Sequence, residues 1–164
     1  MKKVTDKLSF ASGVLKTILN ICLVIAFLTF GFSILIFFFN LFSGQAIIET
    51  IAQFIFITFT ACLLLLIRDL KNIIKTVLNR NPFTLKNVKR FNRIGFATLY
   101  IGLVIFIYDL WTMGFKTFTF VDIGPDISGN IDLVVPFIMG LFSLVLAQIF
   151  KQAHQIYQEN KLTI

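Results

Sequence analysis

The chain has 164 residues, 57% of them hydrophobic and only 14% charged, with a mean hydropathy of +0.89. A soluble domain of this length needs far more charge to cover its surface, so the composition points to a chain whose main solvent is lipid. The net charge of +7 suggests nucleic acid until its distribution is read: fourteen of the fifteen basic residues fall on one side of the apolar runs.

Residues 1–16 form a basic arm carrying Lys2, Lys3, Lys7 and Lys16. Leu8, Phe10, Ala11, Val14 and Leu15 give it a helical period that suits a segment lying along a membrane surface. Met1-Lys2-Lys3 resembles the start of a signal peptide. The apolar run that follows, 17–42, has 26 residues, against roughly 7–15 in a signal sequence, so we read it as a retained crossing. As a helix it is about 39 Å long, more than the roughly 30 Å of hydrocarbon, so it must tilt or enter the headgroups. Asn40-Leu41-Phe42-Ser43-Gly44 reads as a turn, and the second run, 47–67, follows within a few residues. Cys22 and Cys62 then lie at one depth. No histidine or carboxylate accompanies them, so they read as small apolar residues at a helix contact.

Beyond Ile67, the residues Leu70, Ile73, Ile74, Val77 and Leu78 keep the spacing of one apolar stripe. Arg68, Lys71, Asn72, Lys75 and Asn79 fill much of the rest. The second helix should therefore leave the membrane as an amphipathic stalk. Asn79-Arg80-Asn81-Pro82-Phe83 is the turn, because Pro82 cannot continue the helix and restricts Asn81. Thr84, or Asn81 with Pro82 in the first helical position, can cap the next helix. Leu85, Val88 and Phe91 lead into a third run, 94–111. Residues 112–130 form the long loop on the other side, with Trp111 as an interfacial anchor. Within it, Phe118-Thr119-Phe120-Val121 suits a short extended piece or, equally, a segment lying in the membrane interface. The fourth run is 133–150, with Pro136 expected in its first turn. Ile149, Phe150, Ala153, Ile156 and Tyr157 carry its stripe past Lys151. The three extensions should pack on one another below the membrane. Gly95, Ala97 and Gly102, and Gly140, Ser143 and Ala147, supply small residues for close helix approach within the bundle or with a second copy of the chain.

The expected fold is all-α and polytopic. Four transmembrane helices form an antiparallel bundle with helical extensions, in one domain of residues 1–164 with its hairpin at 68–93. Short loops rich in Lys and Arg stay in the cytoplasm, which places both termini and that hairpin inside. Lys116 alone lies opposite, while Glu49, Asp109, Asp122, Asp126 and Asp132 lie at or beyond the outer ends. Insertion rules and anionic headgroups explain the basic side without direct nucleic-acid binding.

Polar residues in a crossing are costly and therefore informative. Asn40, Glu49, Gln53, Tyr108 and Asp109 all fall near the outer ends. They are a candidate polar cluster for a proton, cation or small ligand, or else interfacial residues reaching headgroup water. His154, the lone histidine, reads as a polar residue on a solvated helix face. No nucleophile, metal set or cofactor motif accompanies these groups, so neither an enzyme nor a cofactor is expected.

Asn81-Pro82-Phe83-Thr84, the basic helix through Arg93-Ile94-Gly95, and the closing Glu159-Asn160-Lys161-Leu162-Thr163-Ile164 together resemble the bacterial four-helix membrane proteins of domain of unknown function family 2975. The chain departs from many members after the fourth crossing, where Lys151-Gln152-Ala153-His154 carries no glycine. The resemblance implies a bacterial inner membrane and no particular reaction. It also implies a regulatory role beside a small cytoplasmic helix-turn-helix regulator. Asn81, Pro82, Phe83, Leu162, Thr163 and Ile164 are then the candidate docking residues, with the chain end seated in a groove or on a strand edge. The competing reading is a small transporter or transporter subunit that uses Glu49 and Asp109.

Overall fold

An apolar run without proline stays helical until turn residues stop it. The computed structural model describes residues 2–44, 47–79, 81–113, 122–123, 127–128 and 131–162, and in it the first two helices end this way. Helix α1 spans Lys2–Phe42, α2 Ile47–Leu78, α3 Leu85–Met113 and α4 Ile131–Leu162. Helix α1 ends where Ser43 N–H bonds the Phe39 carbonyl at 2.9 Å and Gly44 takes φ +66°, a left-handed conformation that costs glycine little. Thr84 caps α3: its hydroxyl accepts from Asn87 N–H at 3.3 Å, and its carbonyl accepts from the N–H groups of Asn87 and Val88. Two short strands, β1 (Asp122–Ile123) and β2 (Ile127–Ser128), pair antiparallel between α3 and α4, with Asp122 opposite Ser128. Periodicity gave no sign of this hairpin, and Phe118-Thr119-Phe120-Val121 lies outside the described residues.

All four helices are long and apolar enough to cross a membrane. Their large side chains face outward: Phe27, Leu28, Leu35, Leu141 and Phe142 are more than half exposed, as lipid-facing residues are. Each helix packs on its neighbour in the chain. Among the described residues, α1 makes no close backbone approach to α3 or α4, nor α2 to α4. The chain is a polytopic membrane protein of four antiparallel helices.

Small residues decide where backbones come close. Between α1 and α2, Ala26, Ser33 and Thr60 are buried, and the Gln53 side chain donates to the Ser33 carbonyl at 3.1 Å. Between α3 and α4, a Cβ added at Gly95 would sit 2.6 Å from a Leu144 methyl and 3.0 Å from the Gly140 carbonyl oxygen. One added at Gly140 would meet Leu99 at 2.7 Å and the Gly95 carbonyl at 3.1 Å. The two glycines are therefore pressed together, as the small-residue rule anticipates. Ala147 is fully buried, and Ser143 donates to the Phe91 carbonyl at 2.9 Å across the same seam.

Three expectations are corrected. The basic arm is the first part of α1, continuous with the crossing, because no turn residue interrupts it. Pro136 lies one turn further into α4 than expected, because the helix already begins at Ile131. The apolar stripe of the stalk is only in part its packing face: Ile73 is buried and Ile74 half-buried, but Leu70, Val77 and Leu78 are exposed, and Asp69, the Asn72 carbonyl and Thr76 bond α3 beside them.

Candidate functional site

The α2–α3 hairpin is held by polar rungs that follow its antiparallel register. The register pairs residue 69 with 93, 72 with 90 and 76 with 87. On the first rung, Arg93 grips Asp69 with two parallel bonds, Nε to Oδ2 at 2.5 Å and Nη2 to Oδ1 at 2.6 Å. Asp69 is 1% exposed, while the Arg93 side chain remains 54% exposed. A fork-to-fork pair is the strongest geometry available to these groups. On the second rung, Arg90 Nη1 donates to the Asn72 carbonyl at 3.3 Å and to Asn87 Oδ1 at 2.8 Å. On the third, Asn87 Nδ2 donates to Thr76 Oγ1 at 2.6 Å and to the Pro82 carbonyl at 2.7 Å. Asn87 has no exposed surface, so its amide ties both helices to their turn.

Depth along the helix places these rungs. At 1.5 Å per residue, Asp69 lies about 33 Å from Ile47, where roughly 30 Å of hydrocarbon has ended. The lower rungs therefore lie beyond it, where paired polar groups are tolerated. Within the crossing, the Thr58 and Tyr100 hydroxyls bond each other at 2.7 Å, one further α2–α3 link.

Helix α4 closes over the turn. Phe150 packs against Phe91 at 4.8 Å and Phe83 at 5.4 Å between ring centroids. His154 is half-buried, and its Nδ1 lies 2.8 Å from the Phe83 carbonyl oxygen. Since a carbonyl only accepts, Nδ1 carries the proton there. His154 is thus a clasp between α4 and the turn and not the solvated residue expected. Asn81, Pro82, Phe83 and Tyr157 line an open cavity of about 290 Å³ at the tip. Phe83, Leu85, Ile156 and Tyr157 are exposed around it.

Of the candidate docking residues, Asn81, Pro82 and Phe83 thus share this tip. Leu162 is the last residue of α4, while Thr163 and Ile164 lie outside the described residues. The outer candidates separate more. Glu49 is exposed, Gln53 bonds α1, Tyr108 is 66% exposed and Asp109 is half-buried. Asn40 stands on α1, which does not approach the α3 that carries Tyr108 and Asp109. Cys22 and Cys62 are free thiols, both half-buried. No group of three or more His, Cys, Asp or Glu side chains that could hold a metal occurs among the described residues.

Asp69, Asn87 and the Thr58–Tyr100 pair are not found by sequence reasoning. One signal for Asp69 was available: it is the only acid among eight bases between positions 68 and 93.

No curated protein and no solved structure matches the chain. Residues 44–164 match the family described as Protein of unknown function (DUF2975). The match takes in α2, α3 and α4 and leaves out α1, so the stalk and its tip lie wholly within it. The chain accordingly belongs to the DUF2975 family of proteins of unknown function.

Proposed function

We propose that the chain is a non-enzymatic regulatory membrane protein that holds a soluble cytoplasmic protein at the tip of its stalk. The observation that supports this reading most is the tip itself. Helix α2 runs about 46 Å from Ile47 to Leu78, so the turn stands roughly 15 Å beyond the hydrocarbon. Phe83, Leu85, Ile156 and Tyr157 are exposed there, out of reach of the lipid tails that account for apolar exposure elsewhere. The polar rungs and the His154 clasp fix this surface before anything binds, which lowers the cost of ordering it. Lys75, Lys86 and Lys89 flank the turn in the chain and are exposed, and Asp69, the one acid of the hairpin, is taken by Arg93. The partner therefore carries an acidic patch beside an apolar one. A helix-turn-helix regulator that keeps its basic face for DNA fits this description, and the bacterial inner membrane is the setting the family resemblance gives. The transport reading has less behind it, because Glu49 is exposed and Gln53 is used in an α1–α2 contact.

The test is affinity capture from native membranes. It uses the full chain, a Phe83→Ser/Tyr157→Ser variant, and a chain lacking residues 159–164. Recovery of an acidic, DNA-binding soluble protein by the full chain, and its loss in the tip variant, supports the reading. Equal recovery by both, or recovery of membrane proteins alone, overturns it. Loss on truncation as well assigns the chain end to the contact.

A further inference from the structure

The hairpin between residues 68 and 93 holds eight bases and one acid. Asp69 spends both oxygens on Arg93, so no acid of the hairpin remains for the other bases. Two guanidinium groups among them differ from ordinary surface charges, because α2 already holds them in place. Arg93 uses Nε and Nη2 on Asp69 and makes no hydrogen bond through Nη1 to a described residue, on a side chain 54% exposed. Arg90, one turn toward the tip, uses only Nη1, on the Asn72 carbonyl and Asn87 Oδ1. Its Nε and Nη2 make no hydrogen bond to a described residue. Spaced three apart, the two residues are neighbours on one face of α3.

Their depth selects the ligand. Measured back from Trp111, Arg93 lies about 27 Å along α3 and its partner Asp69 about 33 Å along α2 from Ile47, so that rung sits at the roughly 30 Å hydrocarbon limit and Arg90, at about 32 Å, one turn past Arg93. Lipid phosphates lie just past that limit. We propose that Arg90 and Arg93 bind the phosphate of one anionic phospholipid at the α2–α3 seam, in the leaflet on the basic side. A guanidinium presents paired donors that match phosphate oxygens, and these two have already lost much of their side-chain freedom. Asp69 offsets the charge of Arg93, so Arg90 carries the net charge of the site. The exposed Arg68, Lys75 and Lys89 add diffuse attraction that any basic surface would give. The site lies above the tip and does not depend on what docks there.

The test uses the full chain in neutral detergent, titrated with phosphatidylglycerol, phosphatidylcholine or inorganic phosphate. Retained lipid is read by native mass spectrometry, and stability by thermal unfolding. Phosphatidylglycerol should stay bound at one per chain and raise the unfolding temperature, while phosphatidylcholine and inorganic phosphate should do neither. Arg90→Gln should weaken phosphatidylglycerol binding by about tenfold or more. Lys89→Gln, an equal charge change at an exposed neighbour, should weaken it less than about twofold. Should Arg90→Gln not fold, Arg90→Lys keeps the charge without the fork and should weaken phosphatidylglycerol binding several-fold, read as retained lipid by native mass spectrometry. Equal effects of the two lipids, equal losses in Lys89→Gln and Arg90→Gln, or undiminished binding in Arg90→Lys would each overturn the site. Stabilisation by inorganic phosphate equal to that by phosphatidylglycerol would overturn its assignment to lipid.

Discussion

The Asp69–Arg93 pair predicts an asymmetry between its two partners. Asp69 is 1% exposed and Arg93 has a side chain 54% exposed, yet they share the same two hydrogen bonds. Arg93→Ala strands a carboxylate in a buried site, a change that costs roughly 3–5 kcal/mol. Asp69→Ala strands only an arginine that water and headgroups can reach, so it should cost about 1–2 kcal/mol, mostly lost packing. Replacing both partners removes the stranded charge, so the double variant should be more stable than Arg93→Ala alone. Thermal unfolding of the four proteins in one detergent measures the cycle. Arg93→Ala should melt lowest, by on the order of 10 °C below the parent. If Asp69→Ala melts as low as Arg93→Ala, or the double variant melts lower still, the pair does not act as described.

Three further outcomes follow from the helix seams. Asn87→Ala leaves Thr76 Oγ1 and the Pro82 carbonyl without their amide donor and should cost about 1–3 kcal/mol, with hydrogen exchange rising first at the 79–84 turn. Gly95→Val forces branched carbons against Leu144 and the Gly140 carbonyl and should cost about 1–3 kcal/mol, whereas Gly31→Val, where a Cβ meets nothing within 4 Å, should cost less. The coupling between Thr58→Val and Tyr100→Phe should be small, about 0.6 kcal/mol and not above about 1.7, as interhelical bonds in membranes generally are. A double-mutant cycle by detergent unfolding reads it.

The crossings were legible because the requirement for some 20 apolar residues leaves little choice of register. The close approach of α3 and α4 was legible because glycine and serine spaced along a helix have few other uses in lipid. The faces of the extensions were not. The stripe Leu70, Ile73, Ile74, Val77 and Leu78 obeys the rule for a soluble amphipathic helix, yet only Ile73 of it is buried, and the hairpin is bonded through Asp69, the Asn72 carbonyl and Thr76. A helix just outside a membrane can leave apolar residues exposed and satisfy its polar ones across a seam, and hydropathy cannot distinguish the two arrangements. Asn87 and His154 were obscured for a related reason. Their bonds go to the Pro82 and Phe83 carbonyls, and backbone acceptors leave no trace in side-chain patterns. At the candidate site, the Asn81-Pro82-Phe83 turn stood out through proline chemistry and family resemblance, while the contribution of Tyr157 needed the packing of α4 over that turn.

Site-specific photo-crosslinking in native membranes tests the docking claim most directly. The crosslinker is placed in turn at Phe83, at Tyr157 and at Phe42, which is 85% exposed at the opposite end of α1. The account predicts one soluble, acidic protein crosslinked from Phe83 and Tyr157, released by salt before irradiation, and never from Phe42. Crosslinks from Phe83 and Tyr157 to lipid or other membrane proteins alone, or the soluble protein captured from Phe42, would contradict it.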